Sequence, residues 1–122
     1  MSVTPAPATG KTLSDVLPPE RVADLMAFRR AAEAALPGRV AGVVLFGSRA
    51  RGDADADSDY DVAVFIRGLD RPWDVIDVLS DLTYDKMLEG IDIRPVPLRD
   101  PPDPGGRREL LANIARDGVP VP

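Results

Sequence analysis

The chain contains neither cysteine nor histidine. Without cysteine there is no disulfide scaffold, no thiolate nucleophile and no zinc–thiolate site. Without histidine the commonest general base and metal ligand are gone, so any chemistry falls to carboxylates, hydroxyls, arginines and backbone groups. Positive charge is in deficit: 15 lysines and arginines stand against 20 aspartates and glutamates, a net charge of −5. That balance argues against tight sequence-independent binding to duplex nucleic acid, while leaving room for a local basic pocket. No stretch approaches the ~18 consecutive apolar residues of a membrane span. The opening MSVTPAPATG also lacks a long apolar run. It reads as a flexible tail rather than a signal peptide, which makes a cytoplasmic location the expectation.

What is present suffices for one domain: 122 residues, of which 44% are hydrophobic. A Pro/Ala/Thr-rich lead-in over 1–17 is expected to precede a domain over 18–122. Pro18 and Pro19 suit a helix start, where a missing N–H costs nothing. Val22, Leu25, Phe28, Ala32 and Ala35 repeat at helical spacing until Pro37-Gly38 stops them. The branched apolar run Val40–Phe46 predicts a strand, and 59–66 predicts a second. Pro72 opens a further helix with Ile76, Leu79, Leu82 and Thr83 on one face, ended by Gly90. A third strand is expected over 91–96, stopping at Pro97. The segment RDPPDPGG is a loop, and 107–117 is a closing helix with Leu110, Leu111 and Ile114 inward. The order predicts an α/β fold in which helices cover a small mixed sheet.

The chemistry concentrates in GSRARGDADADSDYD, residues 47–61, where five aspartates run straight into the apolar VAVFI. Gly47 lets the chain turn sharply and approach a ligand without a Cβ in the way. Ser48 can cap a short helix or offer its hydroxyl and nearby N–H groups to a phosphate, with Arg49 and Arg51 adding positive charge beside it. Taken alone, Gly-Ser is better explained as an ordinary strand-to-helix turn. Asp59 and Asp61, two apart in a strand, share a face at roughly 6–7 Å along the chain, with Tyr60 and Val62 on the other. Such a pair repels unless a cation intervenes, and hard divalent ions favour oxygen ligands. A solvated strand end explains a lone D-x-D pair more simply.

Asp53, Asp55 and Asp57 alternate as well, but they do not make a calcium loop. Counting from Asp53, the sixth position is Ser58 rather than glycine and the twelfth is Val64 rather than glutamate. They read as a solvated spacer. Asp92 sits between Ile91 and Ile93, a setting strand propensity disfavours. Beside the Asp59–Asp61 strand it would complete a three-carboxylate cluster; alternatively it is a partly exposed residue paired with Arg94. Those two readings are evenly matched, and it is the combination of turn, paired carboxylates and third carboxylate that carries weight.

Gly47-Ser48, ten residues, then Asp59-Tyr60-Asp61 resembles the G-S-x10-D-x-D signature of the DNA polymerase beta-like nucleotidyltransferase superfamily. The longer run GSRARGDADADSDYDVAVF looks especially like the minimal nucleotidyltransferase (MNT) group, which includes antitoxins paired with HEPN-domain ribonucleases. The resemblance extends from about Val40 through Asp92. It implies a single-domain nucleotidyltransferase fold and transfer assisted by two Mg²⁺ ions, with ATP as substrate. Asp59, Asp61 and Asp92 would be catalytic and metal-binding, while Gly47, Ser48, Arg49 and Arg51 would bind the nucleotide. So short a chain leaves little room for recognition of an acceptor, which leads to the expectation that a partner protein carries it. In the group resembled, that partner is often a HEPN toxin, inactivated by AMP transfer to a tyrosine. Two rivals stand beside this reading: an enzyme acting on a small molecule, as the aminoglycoside nucleotidyltransferases do, and a module that neutralises its partner by binding alone.

Overall fold

The computed structural model describes residues 10–103 and 105–122. Four strands, β1 (Val40–Phe46), β2 (Tyr60–Arg67), β3 (Ile93–Asp100) and β4 (Val119–Pro120), form one sheet in the order β3-β2-β1-β4. β1 pairs antiparallel with both β2 and β4, whereas β2 and β3 are parallel. The sheet is therefore mixed, as expected. Among the described residues six helices accompany it: α1 (Leu13–Val16), α2 (Pro19–Ala35), α3 (Ser48–Arg51), α4 (Trp73–Asp81), α5 (Tyr84–Leu88) and α6 (Arg108–Asp117).

The central strands read as near-continuous apolar runs because both their faces are covered. On one face Val62, Val64 and Ile66 of β2 join Val43 and Leu45 of β1, and Leu25, Phe28 and Ala32 of α2 and Leu79 of α4 pack against them. On the other, Ala63, Phe65, Val44 and Leu98 meet Ile114 of α6, with Leu110 and Leu111 packed at the margin. Gly118 closes α6 tightly, since a Cβ there would lie 2.6 Å from Val44 Cγ1 and 2.4 Å from the Ile114 carbonyl oxygen.

Several boundaries differ from the sequence expectation. The lead-in over 1–17 ends in structure, because α1 forms and Leu13 and Leu17 are buried in the core; residues 1–9 lie outside the described residues. Ala35 is exposed, so the buried stripe of α2 ends with Ala32 and passes to Leu36. The helix expected from Pro72 to Gly90 breaks at Leu82–Thr83, where the buried Thr83 hydroxyl donates to the Ser80 carbonyl at 2.8 Å. β3 continues through Pro97 to Asp100. Asp92 lends its carbonyl to Tyr60 N–H at 2.9 Å, so Asp92, Arg94 and Val96 turn their backbone groups toward β2. Pro95 and Pro97 fall on the opposite parity, where an absent N–H costs no ladder bond on an edge strand.

Candidate nucleotidyl-transfer site

The antiparallel β1–β2 register sets Phe46 opposite Asp61, and the parallel β2–β3 register sets Asp61 opposite Arg94. The end of β1 and the starts of β2 and β3 thus meet at one end of the sheet. Asp61, Arg94 and Asp92 share a parity with the residues under α6, while Tyr60 and Val62 turn into the other layer. The alternation inferred from sequence holds for Tyr60, Asp61 and Val62.

Gly47 follows β1 at φ 77°, ψ −159°, a combination that is essentially reserved for glycine. Its missing side chain has a second consequence: a Cβ there would lie 2.6 Å from Asp61 Oδ2. The turn is therefore pressed directly against the carboxylate of the next strand. Gly47, and not Ser48, occupies the cap position of α3, and no side chain caps the first turn. Ser48 is the first helical residue, so its hydroxyl is not used as the cap that sequence alone favoured.

Arg49 and Arg51 are engaged with the spacer. The Arg49 guanidinium donates to the Ser58 carbonyl at 3.0 and 3.2 Å and to that of Ala56 at 3.4 Å, and it lies 4.4 Å from the centre of the Tyr60 ring. Arg51 pairs with Asp53 at 3.2 Å. Within the spacer, the Asp55 side chain accepts from Asp57 N–H and from the Ser58 hydroxyl, and Asp55 N–H donates back to that hydroxyl. The side chains of Asp53 and Asp55 thus help fold the loop that carries the chain from α3 to Asp59.

Asp59 sits one residue before the β2 ladder rather than inside it. Arg94 Nε lies 3.1 Å from Asp59 Oδ2 and 3.3 Å from Asp92 Oδ2, bridging the two carboxylates. A hydrogen bond shared with Asp92 raises the Asp59 carboxyl above its ordinary value; desolvation and the Asp92 charge add to this, while Arg94 and Arg49 oppose it. Asp61 is raised chiefly by burial, then by the charge of Asp59 and more weakly that of Asp92, against Arg94 and Arg51. The structure thus joins Asp59 to Asp92 through Arg94 and places Asp61 against Gly47. Among the described residues no three carboxylates are gathered closely enough to hold one metal ion. The donor set is nonetheless the all-oxygen kind that hard divalent cations take, and its crowded negative charge already draws in a cation, Arg94. Sequence reasoning had weighed Arg94 only as a partner for Asp92; its position two residues on, along the same strand face, was the available signal.

Two clefts meet at Asp92. One, of about 510 Å³, is walled by Arg21, Arg49, Ser58, Tyr60 and Gly90. The other, of about 430 Å³, runs between Tyr84 and Met87 on one side and Ile93, Arg94 and Pro95 on the other.

A sheet of this kind, with a glycine-serine turn abutting the carboxylate-bearing end of the next strand, defines the nucleotidyltransferase class of fold. The polymerase beta nucleotidyltransferase family matches residues 33–104, and the chain belongs to it. Among solved structures, that of a presumptive nucleotidyltransferase from Sulfolobus solfataricus superposes with a TM-score of 0.57 at 21% identity, covering 93% of this chain and 88% of that one. Among curated proteins none matches. No helix is long and apolar enough to cross a membrane among the described residues.

Proposed function

We propose that this chain is a Mg²⁺-dependent nucleotidyltransferase that moves AMP from ATP to a hydroxyl of a partner protein. The contact of Gly47 with Asp61 carries the reading, because it brings a phosphate-accepting turn and a carboxylate rim within one van der Waals layer. Gly47 and Ser48 would present the uncapped first turn of α3 to the β- and γ-phosphates. Asp59, Asp61 and Asp92 would hold two Mg²⁺ ions once Arg94 is displaced. Bound there, such ions lower the pKa of the attacking hydroxyl and offset charge on the attacking and leaving oxygens. The acceptor oxygen bonds to the α-phosphorus, the bond from that phosphorus to the α–β bridging oxygen breaks, and pyrophosphate leaves; Asp92 receives the hydroxyl proton. Arg51 can exchange Asp53 for a phosphate, whereas Arg49 keeps the spacer folded.

The likeness of GSRARGDADADSDYDVAVF to the minimal nucleotidyltransferases supports a HEPN-domain toxin as partner, a tyrosine as acceptor and antitoxin as the role, in the cytoplasm. Incubation with Mg²⁺, α-labelled ATP and the product of the neighbouring reading frame tests this. The expected result is label on the partner, lost with Asp61→Ala. If no label moves and an Asp59→Ala/Asp61→Ala variant still neutralises the partner, neutralisation is by binding and the enzymatic reading fails.

A further inference from the structure

The cleft that leaves Asp92 along α5 is walled by side chains that a surface helix ordinarily hides. Tyr84 is 56% exposed, Met87 51% and the adjacent Leu88 68%, so a short helix beside the site keeps its large apolar groups in water. Exposed apolar groups clustered beside polar ones mark interaction surfaces, and methionine and tyrosine are enriched at such contacts. α5 itself is fixed: Lys86 reaches Asp24 of α2 at 2.9 Å and Glu89 at 3.4 Å.

Unpaired charge beside the groove is negative, since Lys86 is paired with Asp24 and Glu89, and Arg94 with Asp59 and Asp92. Asp81, in the groove wall, and Asp85, on α5, are exposed and have no ion pair among the described residues. A second copy of this chain would bring the same carboxylates and an overall charge of −5, and an anionic lipid surface would likewise be repelled. A cationic partner gains from both the apolar groups and the carboxylates.

We infer that the groove between α5 and the start of β3 is the docking surface for the acceptor-bearing partner, which enters it with a cationic amphipathic segment. This rests on the proposed transfer to a protein, since the groove ends at Asp92 and Arg94, where the acceptor hydroxyl must arrive. An amphipathic helix laid in a groove is an established mode of such recognition.

The test uses the full chain, ¹⁵N-labelled, with two synthetic peptides: an 18-residue Leu/Lys amphipathic helix and the same helix with glutamate replacing lysine. Amide shifts should appear over residues 80–95 with the lysine peptide alone and weaken with added salt. A Met87→Gln/Leu88→Gln variant, which removes the apolar groups at two exposed positions without changing charge, should bind about tenfold more weakly, a loss of ~1.4 kcal/mol. Asp81→Lys/Asp85→Lys should reverse the preference to the glutamate peptide. Shifts elsewhere, equal response to both peptides, or shifts at 80–95 that depend only on the concentration of the chain itself would overturn the assignment. Mg²⁺–ATP added to the same sample should move the amides of 47–61. If it does so while the peptide fails to dock, the docking surface falls and the nucleotide site stands; if neither responds, both fall.

Discussion

Burial and the charge of Asp59 both raise the Asp61 carboxyl, so its ionised form is carried by the fold at a cost. Replacing it with the neutral isostere Asp61→Asn should raise the thermal midpoint of the metal-free protein and abolish transfer, by more than the roughly 10–100-fold typical of groups that only support metal ligands. Calorimetry and a transfer assay on the same sample separate the two effects, and a lowered midpoint would contradict the account. Arg94 is the complementary case. It neutralises Asp59 and Asp92 from 3.1 and 3.3 Å, so it competes with any cation for their oxygens. Arg94→Ala should lower the midpoint without metal and tighten Mn²⁺ binding in titration calorimetry; weaker Mn²⁺ binding would show that Arg94 assists the metal instead. At Gly47 the backbone region alone makes Gly47→Ala cost about 1–3 kcal/mol. The added methyl would also displace Asp61, so nucleotide affinity should fall in a protein that remains folded at 25 °C.

The elements show how far the sequence could be read. The turn at Gly47 and the parity that sends Tyr60 into the core follow from residue chemistry and a period of two, and both recur in the structure, whereas Asp59, expected inside the strand, lies one residue before β2. The limits of β3 did not follow, because whether a proline is tolerated depends on which edge of the strand lacks a neighbour, a property of the sheet order. β4 is two residues long, too short for any alternation, and is identified by its pairing of Val44 with Pro120 and Leu45 with Val119. The break between α4 and α5 falls where the Thr83 N–H and hydroxyl both donate to the Ser80 carbonyl. The clustering of carboxylates was legible as composition but its geometry was not, since Arg94 reaches both Asp59 and Asp92 only through the β2–β3 register. At the join of α6 and β4, Gly118→Ala should destabilise by about 1–3 kcal/mol through overpacking against Val44 and the Ile114 carbonyl, measured by urea unfolding. An unchanged midpoint would mean that α6 can shift off the sheet.

For the molecule as a whole, carboxyls pull acid stability in two directions: Asp59 and Asp61, raised, lose their cost as pH falls, whereas Asp15 and Asp117 are held in their charged form. Asp15 is lowered by hydrogen bonds from the Thr12 backbone and side chain, and Asp117 by its hydrogen bond and charge contact with Arg116. A carboxyl whose folded value lies below the unfolded one stabilises above the ordinary value of about 4 and loses that contribution as pH falls through the lower folded value. The contribution of Asp15 and Asp117 should therefore be lost below about pH 4, and Asp15→Asn should flatten that part of the pH dependence while lowering stability at neutral pH. Above all the molecule is an acidic domain that crowds carboxylates beside its glycine-serine turn, and the proposed function requires a divalent ion with a nucleotide to complete that rim. Calorimetric titration of Mg²⁺ with a non-hydrolysable ATP analogue tests this most directly. The expected result is binding at one nucleotide site that requires Mg²⁺, is lost with Asp61→Asn and is weakened by Gly47→Ala. Binding that is independent of Mg²⁺, or unchanged by both substitutions, would contradict it.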